Sequence, residues 1–172
     1  MIRSIAALSV IAMLAACGQK TETSSAAATP TAEAAADACA SATGDGIVIS
    51  DAWVRAAGEG QATSAVYLTI CNAGADADTL VGAASDAAET VELHQTSKNA
   101  DGVMTMSPVD GLALDPKKSA VLAPGGSHIM LIGLKGPINP GDKVEVTLEF
   151  ANRAPMPITV EARGMHDGGH GH

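Results

Sequence analysis

Aromatic side chains are nearly absent from this chain of 172 residues: one Trp, one Tyr and one Phe, at Trp53, Tyr67 and Phe150. Single-stranded nucleic acid is bound by stacking on aromatic rings, and duplexes by basic surface. Basic residues are scarce as well, 10 against 19 acidic ones for a formal charge of −9, so no nucleic-acid partner is expected and phosphate-rich partners are disfavoured. Cysteine occurs three times, at Cys17, Cys39 and Cys71, and none follows His94. The apolar run Ile5–Ala16, broken only by Ser9, would rise about 18 Å as a helix, well short of a bilayer's hydrocarbon core. No Ser/His/Asp or paired-carboxylate arrangement points to an enzyme, and no internal repeat is visible.

What is present begins with an address. Met1–Arg3 give a short positive start, Ile5–Ala16 an apolar segment of secretory length, and Leu14-Ala15-Ala16-Cys17-Gly18 follows. Small residues before a cysteine resemble the lipobox of bacterial lipoproteins, which implies cleavage after residue 16 and lipidation of Cys17. Gly18, with no aspartate after the cysteine, resembles lipoproteins sent on to the outer membrane. The expected location is therefore the periplasmic side of the envelope, held to the membrane by a lipid anchor. That compartment is oxidising, and lipidation of Cys17 leaves Cys39 and Cys71 as a candidate disulfide.

Residues 17–45 read as a tether. Between Ser24 and Thr43, ten of 20 residues are Ala and six are Ser or Thr, with no large apolar side chain to anchor packing. From Gly46 the pattern changes to short alternating runs punctuated by Gly, Pro, Asn and Asp. Strands are expected at Ile47–Arg55, Ala65–Cys71, Thr79–Ala83, Thr90–His94, Val103–Pro108, Ala120–Leu122, His128–Leu134, Lys143–Phe150 and Pro157–Glu161. Many short strands without a convincing helix imply an all-β antiparallel sandwich or barrel over residues 46–163.

Chemistry concentrates in two residue types. After residue 16 the chain holds five His and five Met. On strands, His128 and Met130 share a face, as do Glu92 and His94, and Met104 and Met106. A thioether is a soft neutral donor and imidazole suits copper, so together they select Cu(I) over zinc, calcium or magnesium. Methionine also avoids the disulfide hazard that a thiolate ligand meets in an oxidising compartment. Either residue type alone commonly fills a core or decorates a surface; their combination on three strands points to metal.

The spacing adds a resemblance. His94, eleven residues, Met106, 21 residues, then His128-Ile129-Met130 resembles the H(M)-x(10)-M-x(21)-H-x-M signature of the periplasmic PCu(A)C copper chaperones. The flanking segments Ser50–Ala56, Ala65–Thr69, Val91–His94, Asp101–Met106 and Pro124–Lys135 are similar to theirs too. The resemblance covers about residues 46–161. It implies a cupredoxin-like β-barrel in which His94, Met106, His128 and Met130 hold Cu(I). It also implies delivery to the Cu(A) centre of cytochrome c oxidase, on subunit II, alongside Sco-type thiol proteins. Gln95 departs from the pattern, standing where many members carry a further methionine. Met104, two residues before the motif methionine, is a possible secondary donor or a shielding apolar side chain.

Residues 164–172 form a tail in which Met165, His166, His170 and His172 are a second, looser metal cluster among glycines. Similar extensions in the family are associated with Cu(II) capture; a solvated end binding metals adventitiously is the alternative. Two other readings of the whole chain stay open: an envelope copper buffer, and an electron-transfer cupredoxin, which would need a cysteine thiolate beside two histidines.

Overall fold

The alternation read in Lys143–Phe150 is carried into three dimensions: Val144, Val146, Leu148 and Phe150 are buried while Lys143, Glu145 and Glu149 are exposed, as a pleated strand with one face on a core requires. The computed structural model describes Cys39, residues 46–99 and residues 102–164. The expected leader, the lipidation site Cys17, the tether apart from Cys39, and the tail residues Met165, His166, His170 and His172 lie outside the described residues. Ten strands follow in chain order: β1 (Ile47–Arg55), β2 (Thr63–Asn72), β3 (Asp78–Ala84), β4 (Ala88–Lys98), β5 (Met104–Pro108), β6 (Leu112–Leu114), β7 (Lys118–Leu122), β8 (Ser127–Leu134), β9 (Lys143–Phe150) and β10 (Met156–Arg163).

The strands form one sheet in the order β5-β4-β8-β7-β2-β1-β10-β9-β3-β6, with β8 also pairing β2. Neighbours run antiparallel except β1 beside β10 and the single Leu122–Ser127 pair that joins β7 to β8. The sheet curls so that β3 packs against β4 and β6 against β7, enclosing a core that includes Val66, Leu80, Ile129, Leu131, Val146, Leu148 and Val160. β6 was not expected from sequence. Three residues are too few to show a period, and the strand is fixed by tertiary partners: it pairs with β3, and the Asn72 side-chain amide donates to the Leu114 carbonyl at 2.9 Å.

Two local features matter for the site. The β1–β2 register shifts between Ser50 and Trp53, where Asp51 takes a φ of 51°. This bulge transfers core contact from Ile47 and Ile49 to Val54, and so places Trp53, opposite Tyr67, on the outer face. At the far end of β2, Cys71 is joined to Cys39 by a disulfide with Cα atoms 5.1 Å apart, and the pair packs with Ala73 in a small buried cluster.

At the start of β3, buried Asp78 accepts hydrogen bonds from the Thr79 and Asn152 backbone N–H groups at 2.8 and 3.1 Å and pairs with Arg153. Burial alone would raise its pKa. The Arg153 guanidinium and the two N–H donors outweigh that and hold the carboxyl below its ordinary value.

Candidate metal centre

Register places the donors. In the β4–β8 ladder His94 stands opposite His128 and Glu92 opposite Met130; β8 against β2 sets Met130 opposite Ala65; β4 against β5 sets Thr96 opposite Met106 and Lys98 opposite Met104. Residues directly opposite share a face, so His94, Met104, Met106, His128 and Met130 all project from one side of the sheet. Leu93, Ile129 and Leu131, one step along the same strands, enter the core on the other. The two imidazole rings lie 5.9 Å apart, centre to centre.

The backbone between β7 and β8 orients His128. Ala123-Pro124-Gly125-Gly126 is a type II turn: Gly125 has a φ of 82°, and the Gly126 N–H donates to the Ala123 carbonyl at 3.0 Å. The Gly126 carbonyl then accepts from two donors, the Thr96 N–H at 3.1 Å and His128 Nδ1 at 3.0 Å. A carbonyl can only accept, so Nδ1 carries the proton and Nε2 keeps its lone pair for a metal.

His94 is arranged the other way round. Its Nε2 lies 2.8 Å from Glu92 Oε2, and its Nδ1 is buried without a hydrogen-bond partner. An unsatisfied buried imidazole nitrogen is unfavourable by about 1–3 kcal/mol, and a bond to a metal would satisfy it. The donor set therefore fits copper: two imidazole lone pairs left without other partners and neutral sulfurs on the same face. Among the described residues no three His, Cys, Asp or Glu side chains gather into a metal-binding group; the soft donors that this face adds to the two histidines are the thioethers.

A cavity of about 760 Å³ opens on this face, lined by residues that include Trp53, Arg55, Tyr67, Met104, Met106, His128, Met130 and Arg163. His94 is not part of its wall and sits beside His128, its side chain 13% exposed. His128 is buried and Met130 half-buried, whereas Met104 and Met106 on edge strand β5 are 55% and 53% exposed. The four motif residues thus share one face, His128 and Met130 on inner strand β8, His94 beside them on β4 and Met106 on the rim strand β5.

Sequence reasoning gave no role to Trp53, Arg55, Tyr67 or Arg163. Two of them are among the three aromatics of the chain, and their rarity was the available signal. The bulge that turns Trp53 outward has no simple periodic signature. The Trp53 and Tyr67 rings are 4.6 Å apart, Tyr67 is 6.2 Å from His128, and the Arg163 guanidinium lies 5.9 Å over Trp53. Burial raises the Tyr67 pKa, a shift only partly offset by Arg55, so the phenol stays protonated at physiological pH.

Comparison with known proteins gives a consistent picture. Residues 47–162 match the family model described as "Putative lipoprotein LpqE-like". A protein of Leifsonia xyli subsp. xyli named "Putative lipoprotein Lxx21020" is 41% identical over 121 residues, covering 69% of this chain and 70% of that one. Among solved structures, the copper-bound PCuAC domain from PmoF2 is 28% identical with a TM-score of 0.59, over 72% of this chain and 96% of that domain. The solution structure of CuI-DR1885 from Deinococcus radiodurans is also 28% identical, with a TM-score of 0.56 over 78% of this chain and 89% of that one. The fold is the cupredoxin-like β fold of PCuAC domains.

Proposed function

The chain belongs to the LpqE-like lipoprotein family, and from that premise we propose that it is an envelope copper chaperone, holding one Cu(I) as cargo through His94, Met106, His128 and Met130. The observation that carries the reading is the pair of opposed histidines, His128 with Nδ1 tied to the Gly126 carbonyl and His94 with a buried Nδ1 lacking any partner. Copper in two of the solved neighbours supports it.

The donors differ in what they do. His128 and Met130 lie on inner strand β8 and keep their place with the sheet, while Met106 on the exposed rim can exchange with a donor from an acceptor protein. All four ligands are neutral when they bind, so affinity falls in acid as protons compete for the imidazoles. An acceptor such as cytochrome c oxidase subunit II, directly or through a Sco-type protein, is the client we propose, on the family resemblance. Lipidation of Cys17 would hold the protein to the membrane, the outer one on the evidence of Gly18, and Met165, His166, His170 and His172 would gather Cu(II) at lower affinity. An electron-transfer role is disfavoured because Cys71 is tied up with Cys39, which leaves no free cysteine thiolate among the described residues to join the two histidines.

Trp53 is the sole tryptophan and lines the cavity, so its fluorescence reports loading. Anaerobic titration with Cu(I) should quench it to a one-to-one end point. A Cu(I) chelator should strip Met130→Ala at concentrations at least about 100-fold lower than the parent needs; unchanged competition would refute the ligand assignment. Transfer of Cu(I) to a purified subunit II fragment separates a chaperone from a buffer, which would retain the metal.

A further inference from the structure

The same cavity carries a charge arrangement that copper binding does not use. Arg55 and Arg163 are Cα partners in the parallel β1–β10 ladder, so two guanidinium groups stand opposite one another on one face, and both line the cavity. Like charges directly opposite destabilise a sheet. No carboxylate relieves them: the ion pairs among the described residues are His94–Glu92, Lys118–Asp115 and Arg153–Asp78. Glu161, two residues before Arg163 on its own strand, is paired in register with Trp53 and Lys143 and makes no ion pair with either arginine. Of the other cations on this side of the sheet, Lys143 stands opposite Glu161 and Lys98 at the far edge, opposite Met104. In a chain of formal charge −9, the one wall shared by two unpaired arginines is a local inversion of sign.

The cavity is also much larger than its cargo. About 760 Å³ lies in the range of small-molecule sites, while a bare copper ion fills a small fraction of that. Guanidinium groups match carboxylates in a forked geometry, and the mutually tilted rings of Trp53 and Tyr67 provide an apolar flank beside them.

We propose that Arg55 and Arg163 form a binding site for the carboxylates of a small anionic ligand that brings copper to the cavity. In its relation to copper the inference rests on the chaperone reading; the anion site itself does not. The ligand class is a small carboxylate-bearing chelator with a soft donor, such as a thiol dicarboxylate. Its carboxylates seat on the arginines while His94, His128 and the methionines displace its sulfur from Cu(I). The metal stays Cu(I) throughout, and the freed ligand departs as the anion.

The test uses the metal-free full chain first. Malonate, titrated at constant ionic strength, should change Trp53 fluorescence saturably, and malonamide should not. Arg163→Gln, a change at an exposed side chain, and Arg55→Gln should each weaken malonate binding at least tenfold. In a second arm Cu(I) is presented as its mercaptosuccinate complex or its acetonitrile complex, and the ratio of the two loading rates should fall at least tenfold in the arginine variants. No saturable malonate response in the parent protein, or an equal response in both variants, overturns the site. An unchanged rate ratio overturns its role in copper entry. Failure of the parent to load from acetonitrile would instead sink the chaperone reading and leave the malonate result standing.

Discussion

Strand β8 presents two unlike faces within four residues. Ile129 and Leu131 are fully buried against Val66, Leu93 and their neighbours. His128 and Met130 point the other way, into a cavity shared with an unpaired arginine couple, and beside them a His94 nitrogen lacks a hydrogen bond. The first face is optimised for the folded chain alone. The second is left incomplete, and its missing partners are what a ligand can supply. A sheet allows this because the pleat insulates alternate residues from one another, so one strand can be rigid core and open site at once.

The sharpest way to break the comparison is the disulfide, which sits on the outer side of β2 with Tyr67 yet should behave as part of the core. Closing a loop across a separation of 32 residues contributes about 4 kcal/mol on the chain-entropy model. Reduction, or Cys39→Ser with Cys71→Ser, should lower the urea unfolding free energy by about that amount while Cu(I) affinity of the folded protein stays within a few fold. A large loss of affinity on reduction would show that the two ends of β2 are coupled.

Leu131→Ala and Met130→Ala test the two faces directly, one residue apart. Truncating fully buried Leu131 should reduce stability by about 3 kcal/mol and change copper affinity little. Met130→Ala should do the reverse, with a stability change of about 1 kcal/mol or less and loss of tight binding. Denaturant melts and chelator competition on both variants suffice; parallel effects in either variant would mean that the faces are not separable.

Acid probes the core side through Asp78, read on the metal-free protein. The Asp78 carboxyl has a folded-state pKa below its ordinary value of 3.8. It is therefore protonated less readily when folded, and its contribution is present above about pH 4 and lost as pH falls through the folded pKa. Asp78→Asn should cost about 2 kcal/mol near neutrality and flatten the acid limb of the stability profile. A parent-like acid limb in that variant would move the cause of acid sensitivity elsewhere.

The same division explains what could be read in advance. Lys143–Phe150 and Ile47–Arg55 match the expected strands residue for residue, because one-sided burial writes itself as alternation. Several other strands run one to four residues past the expected ends, as β4 does from Thr90–His94 to Ala88–Lys98, since hydrogen-bonded ladders continue where side chains are polar. The face shared by His94, Met106, His128 and Met130 was legible from spacing and strand parity. Arg55, Trp53 and Arg163 were not, because their gathering depends on the β1 bulge and on a parallel β1–β10 pairing between the two ends of the domain. Nothing local in either segment encodes that contact.

The smallest expected stability effect separates turn strain from site positioning. Gly125 and Gly141 both hold positive φ, 82° and 90°, and a Cβ at either would meet nothing within 4 Å. Alanine at each position should therefore carry only the backbone penalty, about 1 kcal/mol, and the two variants should melt alike. They differ in what the turn holds. Around Gly141 the backbone bonds join Asn139 to Asp142 and Gly141 to Ala162, away from the metal face. Gly125 precedes the Gly126 carbonyl that fixes the His128 ring at Nδ1, and relaxing the turn swings that carbonyl away from both the ring and the Thr96 N–H. Loss of such a supporting hydrogen bond commonly weakens metal binding by about 10–100-fold. Gly125→Ala should thus lose about tenfold in Cu(I) affinity while Gly141→Ala loses none. Equal affinities in two equally destabilised variants would remove the type II turn from the site and leave His128 positioned by its strand alone.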